Sequence, residues 1–332
     1  MAIDPDVDDL LAVTNARLDQ LESGDGSHTH PGSNGGPLVD VGIRYVTEGG
    51  DDSSDGLSWA TAMASPQAAY DALVTNFTSK GRTVINGRRH VGTVLLGPHS
   101  TFYDVGEGLI VDKRAVAEFK GVQASKGQDP YAWMSRLGTT SPTATALVHM
   151  VDVPNPSNGY GFEFRNLSFF ADLAVATSLE SMIRGNDANM ITVADCYADV
   201  DGGPFDGFFI KCDGNIDNSW WDVTANRVMS MGLIQAVAPT TNNQNRWTVE
   251  KNIVFCSNPN LRGMIDIFNV FDSTFIGNNL EGDMVAVYAE KCGSNSFLNN
   301  AGESRTNTYP AYVMPGGWWN IIIGGRWPTP TS

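Results

Sequence analysis

The chain has 332 residues, of which 37 are acidic and 21 are basic, so its formal net charge is −16. This charge argues against nucleic acid and against anionic lipid as partners, because both need clustered lysine and arginine. Charged residues make up only 17% of the chain while glycine occurs 35 times, a balance that favours turn-rich β structure over helical bundles.

The N-terminus is acidic and no apolar segment follows it, so the sequence predicts no secretory signal and assembly in a cytoplasm. No run approaches the ~18 apolar residues of a membrane span, which predicts no membrane insertion. The four cysteines lack the spacing of zinc or redox sites. We expect inward-facing free thiols, with disulfides as the alternative, at Cys196, Cys212, Cys256 and Cys292.

Residues 1–22 are predicted to form a short oligomerising coiled-coil helix. The heptad positions are filled by Val7, Leu11, Thr14, Leu18 and Leu21. A helix of this length is marginal alone in water, so its seam predicts that several copies pack together. The alternative is a helix that docks on its own domain.

Residues 23–40 form a Gly/Ser-rich linker that contains His28 and His30. In an extended segment these two imidazoles point to the same side. Two imidazoles from each of three chains could surround one octahedral transition-metal ion on a threefold axis. The alternative is a solvated histidine pair in a flexible linker.

Residues 41–332 begin with an apolar strand, an acidic loop and a helix predicted over residues 65–74. Ser65 is a suitable N-cap and Pro66 suits the first helical position, where its missing N–H is not needed. An apolar stripe that includes Leu73 then repeats at helical spacing. A lone amphipathic helix ahead of many strands predicts the cap of a β-solenoid, which would otherwise expose an open edge and core.

The acidic loop before this helix contains Asp51, Asp52 and Asp55. It has some features of a calcium-binding loop but lacks the full ligand spacing and the closing glutamate. We therefore interpret it as a solvated corner rather than as a metal site.

After the helix the chain alternates short apolar segments with turns. From residue 144 these segments recur at intervals of about 20 to 30 residues, which is the length of one solenoid coil. The predicted segments are 147–151, 162–169, 190–197, 221–228, 247–255, 268–276, 288–297 and 319–323. Asparagine tolerates left-handed backbone and can stack its amides in a ladder, as expected here for Asn166, Asn189, Asn252, Asn278, Asn299 and Asn320.

Four stretches resemble right-handed parallel β-helix proteins of the pectate-lyase-like class. They are YVTEGGDDSSDGLSWATAMASPQAAYDAL, GTVLLGPHSTFYDVGEGLIV, GFEFRNLSF and ANMITVADCYADV. The resemblance implies an all-β fold, namely a right-handed single-stranded parallel β-helix over residues 41–332 with an N-terminal cap helix. The short coiled coil and the HxH linker precede it. This scaffold carries lyases, hydrolases, epimerases and non-catalytic adhesins, so it does not by itself define a function.

The N-terminal helix and HxH linker are similar to the stalks of bacteriophage tail fibres and tailspikes. That resemblance implies a homotrimer in the virion tail, bound to other tail proteins through its N-terminal region. We therefore predict a minor tail protein or tailspike that contributes to tail-tip structure and recognises the host envelope polysaccharide. The alternative is a polysaccharide depolymerase, a glycoside hydrolase or a lyase, on the same β-helix.

Residues 195–222 are the densest acidic region and the predicted location of any catalytic site. Glycoside hydrolysis needs two carboxylates about 5–10 Å apart, and solenoid coils stack at about 4.8 Å. The catalytic candidates are Asp195, Asp199, Asp201, Asp213, Asp217 and Asp222, with Asp206 in the same region. Trp220 and Trp221 offer flat apolar surfaces for binding a glycan. The alternative is that the acids only solvate turns.

A lyase would need a basic residue beside a metal-bound uronate, and Lys211 and Arg227 flank the acidic region. Trp318, Trp319 and Trp327 are predicted to plug the last coil, where apolar surface lacks a following coil. A subunit contact and a receptor-binding face are the alternatives for these three tryptophans.

Overall fold

The structure is a computed structural model that describes residues 42–79, 89–112, 115–122, 135–151, 159–185, 188–203, 205–212, 219–237, 244–303 and 309–327. The predicted coiled coil (residues 1–22) and the linker with His28 and His30 lie outside these ranges. The domain division at residues 22 and 40, the trimer and the shared metal ion therefore stay predictions.

The described chain contains one α-helix, α1 (Pro66–Ser79), a short 3-10 helix (Trp59–Thr61) and thirty short strands. In chain order the strands are β1 (Gly42–Val46), β2 (Arg89–Leu96), β3 (Tyr103–Asp104), β4 (Leu109–Asp112), β5 (Ala115–Gly121), β6 (Ser135–Thr139), β7 (Ala146–Val151), β8 (Gly159–Tyr160), β9 (Glu163–Arg165), β10 (Leu167–Asp172), β11 (Ser181–Gly185), β12 (Ala188–Asn189), β13 (Thr192–Ala194), β14 (Tyr197–Asp201), β15 (Phe208–Cys212), β16 (Asp222–Thr224), β17 (Arg227–Met229), β18 (Gly232–Val237), β19 (Gln244–Asn245), β20 (Thr248–Glu250), β21 (Ile253–Phe255), β22 (Ile265–Phe268), β23 (Val270–Phe271), β24 (Thr274–Ile276), β25 (Asn279–Glu281), β26 (Val287–Glu290), β27 (Ser296–Leu298), β28 (Ala301–Glu303), β29 (Tyr312–Val313) and β30 (Ile321–Ile323).

Twenty-six of these strands form three long parallel sheets, to which successive coils contribute, while β8 pairs with β12 and β19 pairs with β23. Sheet A runs β1-β2-β5-β9-β13-β16-β20-β24-β27-β30. Sheet B contains, in chain order, β3, β6, β10, β14, β17, β21, β25 and β28, and sheet C contains β4, β7, β11, β15, β18, β22, β26 and β29. This arrangement is a right-handed parallel β-helix, which confirms the predicted fold class.

The predicted strand segments are bent at residues with left-handed backbone. Asn166, Asp195, Ala225, Lys251 and Asn299 all have φ between 51° and 56° and separate a sheet A strand from the following sheet B strand. The segment predicted over residues 190–197, for example, is divided between β13 and the start of β14. A left-handed residue redirects the chain, so side chains before and after it lie on different faces.

A ladder of buried asparagines follows these corners. Asn226, Asn252, Asn278 and Asn300 lie in register, and the Nδ2 of Asn252 donates to the Oδ1 of Asn278 at 2.9 Å. Each Nδ2 also donates to a backbone carbonyl of the preceding coil, as Asn252 does to Val223 at 2.8 Å. The predicted ladder is thus confirmed for Asn252 and Asn278. Asn166 and Asn299 instead occupy the left-handed corner one residue earlier.

The predicted cap helix is present and begins where expected. The Ser65 hydroxyl accepts a hydrogen bond from the Ala68 N–H at 3.1 Å, and Asp52 accepts from the Ala64 and Ser65 N–H groups. The helix continues to Ser79, five residues beyond the predicted end, because Phe77 extends its buried stripe. Leu73 is fully buried against the first coil.

The tryptophans near residue 320 divide into two kinds. Trp327 packs against the core, with its ring centroid 5.2 Å from that of Tyr312, as a plug would. Trp318 and Trp319 are 48% and 83% exposed, so the plug prediction is wrong for Trp319. The four cysteines are free and buried, as expected, and burial raises the pKa of the Cys196 thiol to about 12. No helix among the described residues is long and apolar enough to cross a membrane.

Candidate functional site

The acidic region of residues 195–222 does not form one cluster, because the corners distribute its side chains over different faces. Asp195 occupies the exposed corner between sheets A and B. Asp199 and Asp201 follow it on strand β14 of sheet B, whereas Asp222 lies on strand β16 of sheet A. Asp213 and Asp217 lie outside the described residues. Among the candidates that the structure describes, only Asp199 and Asp201 are therefore brought together on one strand.

The two tryptophans predicted to bind a glycan are not beside this pair. Trp221 is 1% exposed and donates from Nε1 to the Ala188 carbonyl at 2.8 Å, so no glycan reaches its ring. Trp220 is 38% exposed at a left-handed corner, with the Arg246 guanidinium 5.2 Å from its ring centroid. That corner precedes strand β16, so sheet A separates Trp220 from Asp199.

The outward side chains of β6, β10, β14 and β17 form a surface that we call the sheet B face. Asp199 lies at its centre, directly opposite Phe170 on the preceding coil. Continuing the register of β14 with β17 places Met229 opposite Asp199 on the following coil. Asp199 is thus half-buried, and its neighbours in register carry an aromatic ring and a thioether side chain.

Burial is the main influence on this carboxyl group, and it raises the pKa of Asp199. Two hydrogen bonds oppose the shift: the Tyr197 hydroxyl donates to Oδ2 at 3.1 Å, and the Val200 N–H donates to Oδ1 at 2.9 Å. The negative charge of Asp201 raises the pKa further, and Arg136 lowers it. The net shift raises the pKa of Asp199, which is the direction that a general acid requires.

Asp201 supplies a second carboxylate on the same face. It is exposed and lies two residues after Asp199, which is roughly 6.6 Å along a strand. Asp172 is its partner in register on the preceding coil. In inverting glycoside hydrolases the two carboxyl groups are roughly 6.5–9.5 Å apart, which leaves room for a water molecule, and the spacing of the two residues along β14 is compatible with that arrangement.

Arginine and aromatic side chains flank this carboxylate pair along the solenoid axis. The Arg136 guanidinium lies 5.3 Å from the ring centroid of Phe170 on the N-terminal side. On the C-terminal side the Arg227 guanidinium lies 5.7 Å from the ring centroid of Phe255. Flat apolar rings and charged donors on both sides of an acid pair suit a chain of sugar rings that spans several coils.

The remaining acidic and basic candidates have other structural partners. Asp222 accepts a hydrogen bond from Thr224 on the outer side of sheet A. Asp206 accepts from Asn258 and Asn260, which lowers its pKa and joins two loops. Lys211 is on sheet C, where its Nζ lies 2.7 Å from a Glu180 carboxylate oxygen. Of the two basic residues considered for a lyase, only Arg227 is on the sheet B face.

Sequence reasoning missed the residues that surround Asp199 from neighbouring coils, namely Arg136, Phe170, Asp172 and Met229. A signal for two of them exists in the chain. The segment FFAD (residues 169–172) precedes ADVD (residues 198–201) by 29 residues, which is within one coil period. Aligning these segments places Phe170 beside Asp199 and Asp172 beside Asp201, as the structure does.

The acidic loop before α1 is engaged by its own backbone. Asp51 accepts from Ser53, Asp55 accepts from Leu57 and Thr61, and Asp52 binds the start of the helix. Within the described ranges, histidine, cysteine and acidic side chains form no group of three or more that could hold a metal ion. The predicted metal ligands His28 and His30 lie outside these ranges.

No protein-family model and no curated protein matches this chain. Solved structures do share its fold. DFA-IIIase from Arthrobacter chlorophenolicus, in complex with GF2, superposes with a TM-score of 0.50 at 12% identity over 86% of this chain and 79% of that chain. A mutant of the same enzyme in complex with DFA-III has a TM-score of 0.44 at 12% identity over 71% and 63%. The chain is thus a parallel β-helix protein with the fold of DFA-IIIase.

Proposed function

We propose that the sheet B face is a carbohydrate-processing site and that the chain is a polysaccharide-degrading glycoside hydrolase. The observation that carries this proposal is the raised pKa of the half-buried Asp199, two residues from the exposed Asp201. The carbohydrate-processing enzyme DFA-IIIase has the same fold, and the proposed class of substrate is compatible with that likeness.

In this proposal Asp199 is the general acid. Its protonated carboxyl group donates to the glycosidic oxygen as the bond to the anomeric carbon breaks. The apolar surfaces of Phe170 and Met229 keep the proton on Asp199 before the reaction, and the Tyr197 hydroxyl orients the carboxyl group through its bond to Oδ2. The proton lost by Asp199 is thereby transferred to the leaving sugar hydroxyl.

Asp201 would act as the general base in the same step. It accepts a proton from a water molecule whose oxygen attacks the anomeric carbon from the opposite side of the sugar ring. The products are two shorter glycans, one of which has a new reducing end. The Phe170 ring and the charge of Arg136 would hold the neighbouring sugar unit against the strand.

The test is reducing-end release from envelope polysaccharides by the purified full-length chain. Asp199→Asn should lower the rate by ~10²–10⁴-fold, because the amide cannot supply the proton. Asp222→Asn, a matched change from the same acidic region but on sheet A, should leave the rate unchanged. Equal rates in both variants, or equal losses, would contradict the assignment.

The pH profile gives a second readout from the same assay. Activity should fall as the pH rises through the raised pKa of Asp199, since deprotonation removes the general acid. The alkaline limb should therefore lie above the ordinary aspartate pKa of about 3.9. A rate that stays constant across this range would count against Asp199 as the acid.

A second candidate is glycan recognition without catalysis by a minor tail protein or tailspike of a phage virion. The partly exposed ring and guanidinium pairs on and beside the sheet B face favour glycan binding whether or not a bond is cleaved. The homotrimer, the contacts with other tail proteins and the virion location come from the resemblance of residues 1–40 to tail stalks. Glycan binding that Phe170→Ala abolishes, with no reducing ends from the wild type, would favour this candidate over hydrolysis.

A further inference from the structure

The two ends of the solenoid differ in how their last strands are completed. At the N-terminal end, the outer edge of β1 bonds to the loop before α1: the Tyr45 N–H donates to the Gly56 carbonyl at 2.8 Å, and the Met63 N–H donates to the Tyr45 carbonyl at 2.9 Å. The side-chain amide of Gln67 bonds both backbone groups of Ile110 on β4. Helix α1 then covers the core.

At the other end, β30 is the last strand of sheet A, and no strand within the described ranges pairs with its outer edge. All three of its side chains are exposed: Ile321 by 51%, Ile322 by 47% and Ile323 by 58%. Ile322 continues the inward column of Phe275 and Phe297, so among the described residues this column is left partly uncovered, whereas Trp327 covers the neighbouring Tyr312. Trp319, at 83% exposed, adds to this apolar end surface.

The charge distribution points to a particular kind of partner. Residues 306–325 contain no charged side chain, although the whole chain carries a net charge of −16. Two copies of such an acidic chain repel one another over most of their surfaces. At this end they would meet on an uncharged segment.

The edge of β30 is also complementary to itself. The Ile321 N–H and the Ile323 carbonyl bond toward β27, so the alternation of a parallel strand directs the N–H and C=O of Ile322 to the open side. If two β30 strands meet antiparallel across a twofold axis at Ile322, the two Ile322 residues exchange both backbone hydrogen bonds. Sheet A then continues from one chain into the next.

We propose that this end of the solenoid is an interface with a second copy of the same chain. The two C-terminal ends meet about a twofold axis at Ile322. A head-to-tail stack would need a second open end and would grow into a filament, but helix α1 and its loop occupy the N-terminal end. The contact between two C-terminal ends therefore joins two β-helices and cannot add a third. It is independent of the proposed glycan site, which lies on the outer side of sheet B.

The first test measures the mass of the full-length chain by sedimentation and light scattering. The wild type should contain two chains, or six if residues 1–22 also trimerise. Ile322→Pro removes the donor at the twofold axis, and because that N–H lies on an open edge, proline is tolerated there in a single chain. Ile322→Pro and Ile321→Lys should each halve the mass, while Ile253→Lys should not.

Ile253 is the matched control because it is 38% exposed but lies in the middle of the solenoid. A wild type that contains one or three chains would overturn the proposal. So would a mass that both end variants leave unchanged.

A cross-linking measurement tests the same contact without a substitution that weakens it. Residues that form a hydrogen-bonded antiparallel pair have Cα atoms about 5.5 Å apart, which suits a disulfide. Ile322→Cys should form a covalent two-chain species under mild oxidation, whereas Ile253→Cys should not. The four natural cysteines are buried and do not compete. Equal yields from both variants would overturn the twofold contact.

Discussion

The two ends of this solenoid show how a repeating structure depends on residues that do not repeat. In the middle, every coil is completed by the next one, and ladders such as Asn252–Asn278 repeat the same hydrogen bonds. At the N-terminal end, α1 covers the core and Gln67 takes the place of a missing strand. At the C-terminal end, β30 leaves Ile322 exposed. A covered end stabilises the single chain, whereas an open end is available for association.

Leu73→Asp should have the largest effect on this comparison. It places a charge at a fully buried position beneath α1 and removes apolar contacts from the first coil. We expect the free energy of unfolding to fall by about 3–5 kcal/mol and the exposed coil to cause aggregation. Chemical denaturation and light scattering measure both effects. Thr75→Asp, on the exposed side of the same helix, is the control, and a soluble, equally stable Leu73→Asp chain would show that α1 is not the cap.

Gln67→Ala should have an intermediate effect, because it deprives the edge of β4 of its partner without opening the core. The Ile110 N–H loses its acceptor at 2.8 Å, and the Ile110 carbonyl loses its donor at 3.1 Å. We expect a loss of about 1–2 kcal/mol in the free energy of unfolding, since water can replace part of these bonds at an exposed site. Faster hydrogen exchange confined to β4 would locate the effect. Unchanged exchange there would show that the edge does not depend on Gln67.

Trp319→Ser should have the smallest effect on the stability of a single chain. Its side chain is 83% exposed, so its removal should change the free energy of unfolding by less than about 0.5 kcal/mol in dilute protein. Any weakening of self-association at higher concentration would then come from the open end itself. A large loss of stability in dilute protein would mean that Trp319 does complete the core, which is what the plug prediction states.

Much of the fold could be predicted from local pattern. Ser65 and Pro66 mark the start of α1 because capping depends on residues adjacent in the chain. The coil period is visible because every coil must return to the same three sheets. The strand boundaries were less accurate, since a left-handed corner is occupied by Asn166 in one coil but by Ala225 or Lys251 in others.

The candidate site could be predicted only in part. Asp199 and Asp201 were among the candidates, and both lie on the sheet B face. Asp195 and Asp222 were included because they are close in sequence, but the corner at Asp195 places them elsewhere. The expectation for Trp221 fails for a related reason: burial alternates along a strand, and Trp221 follows its corner on the inward side, packed against Trp247.

Local sequence alone specifies the features that depend on near neighbours: the cap helix, the short strands, the turns and the coil period. Stacking of coils decides which residues share a face, because partners in register are 22 to 50 residues apart, as from Asn279 to Ala301 or from Gly42 to Gly92. The raised pKa of Asp199 belongs to this second group, since it depends on burial that side chains from neighbouring coils, such as Phe170, provide. The open strand edge at Ile322 is also decided by the tertiary structure, because a strand has an open edge only if no other strand pairs with that side.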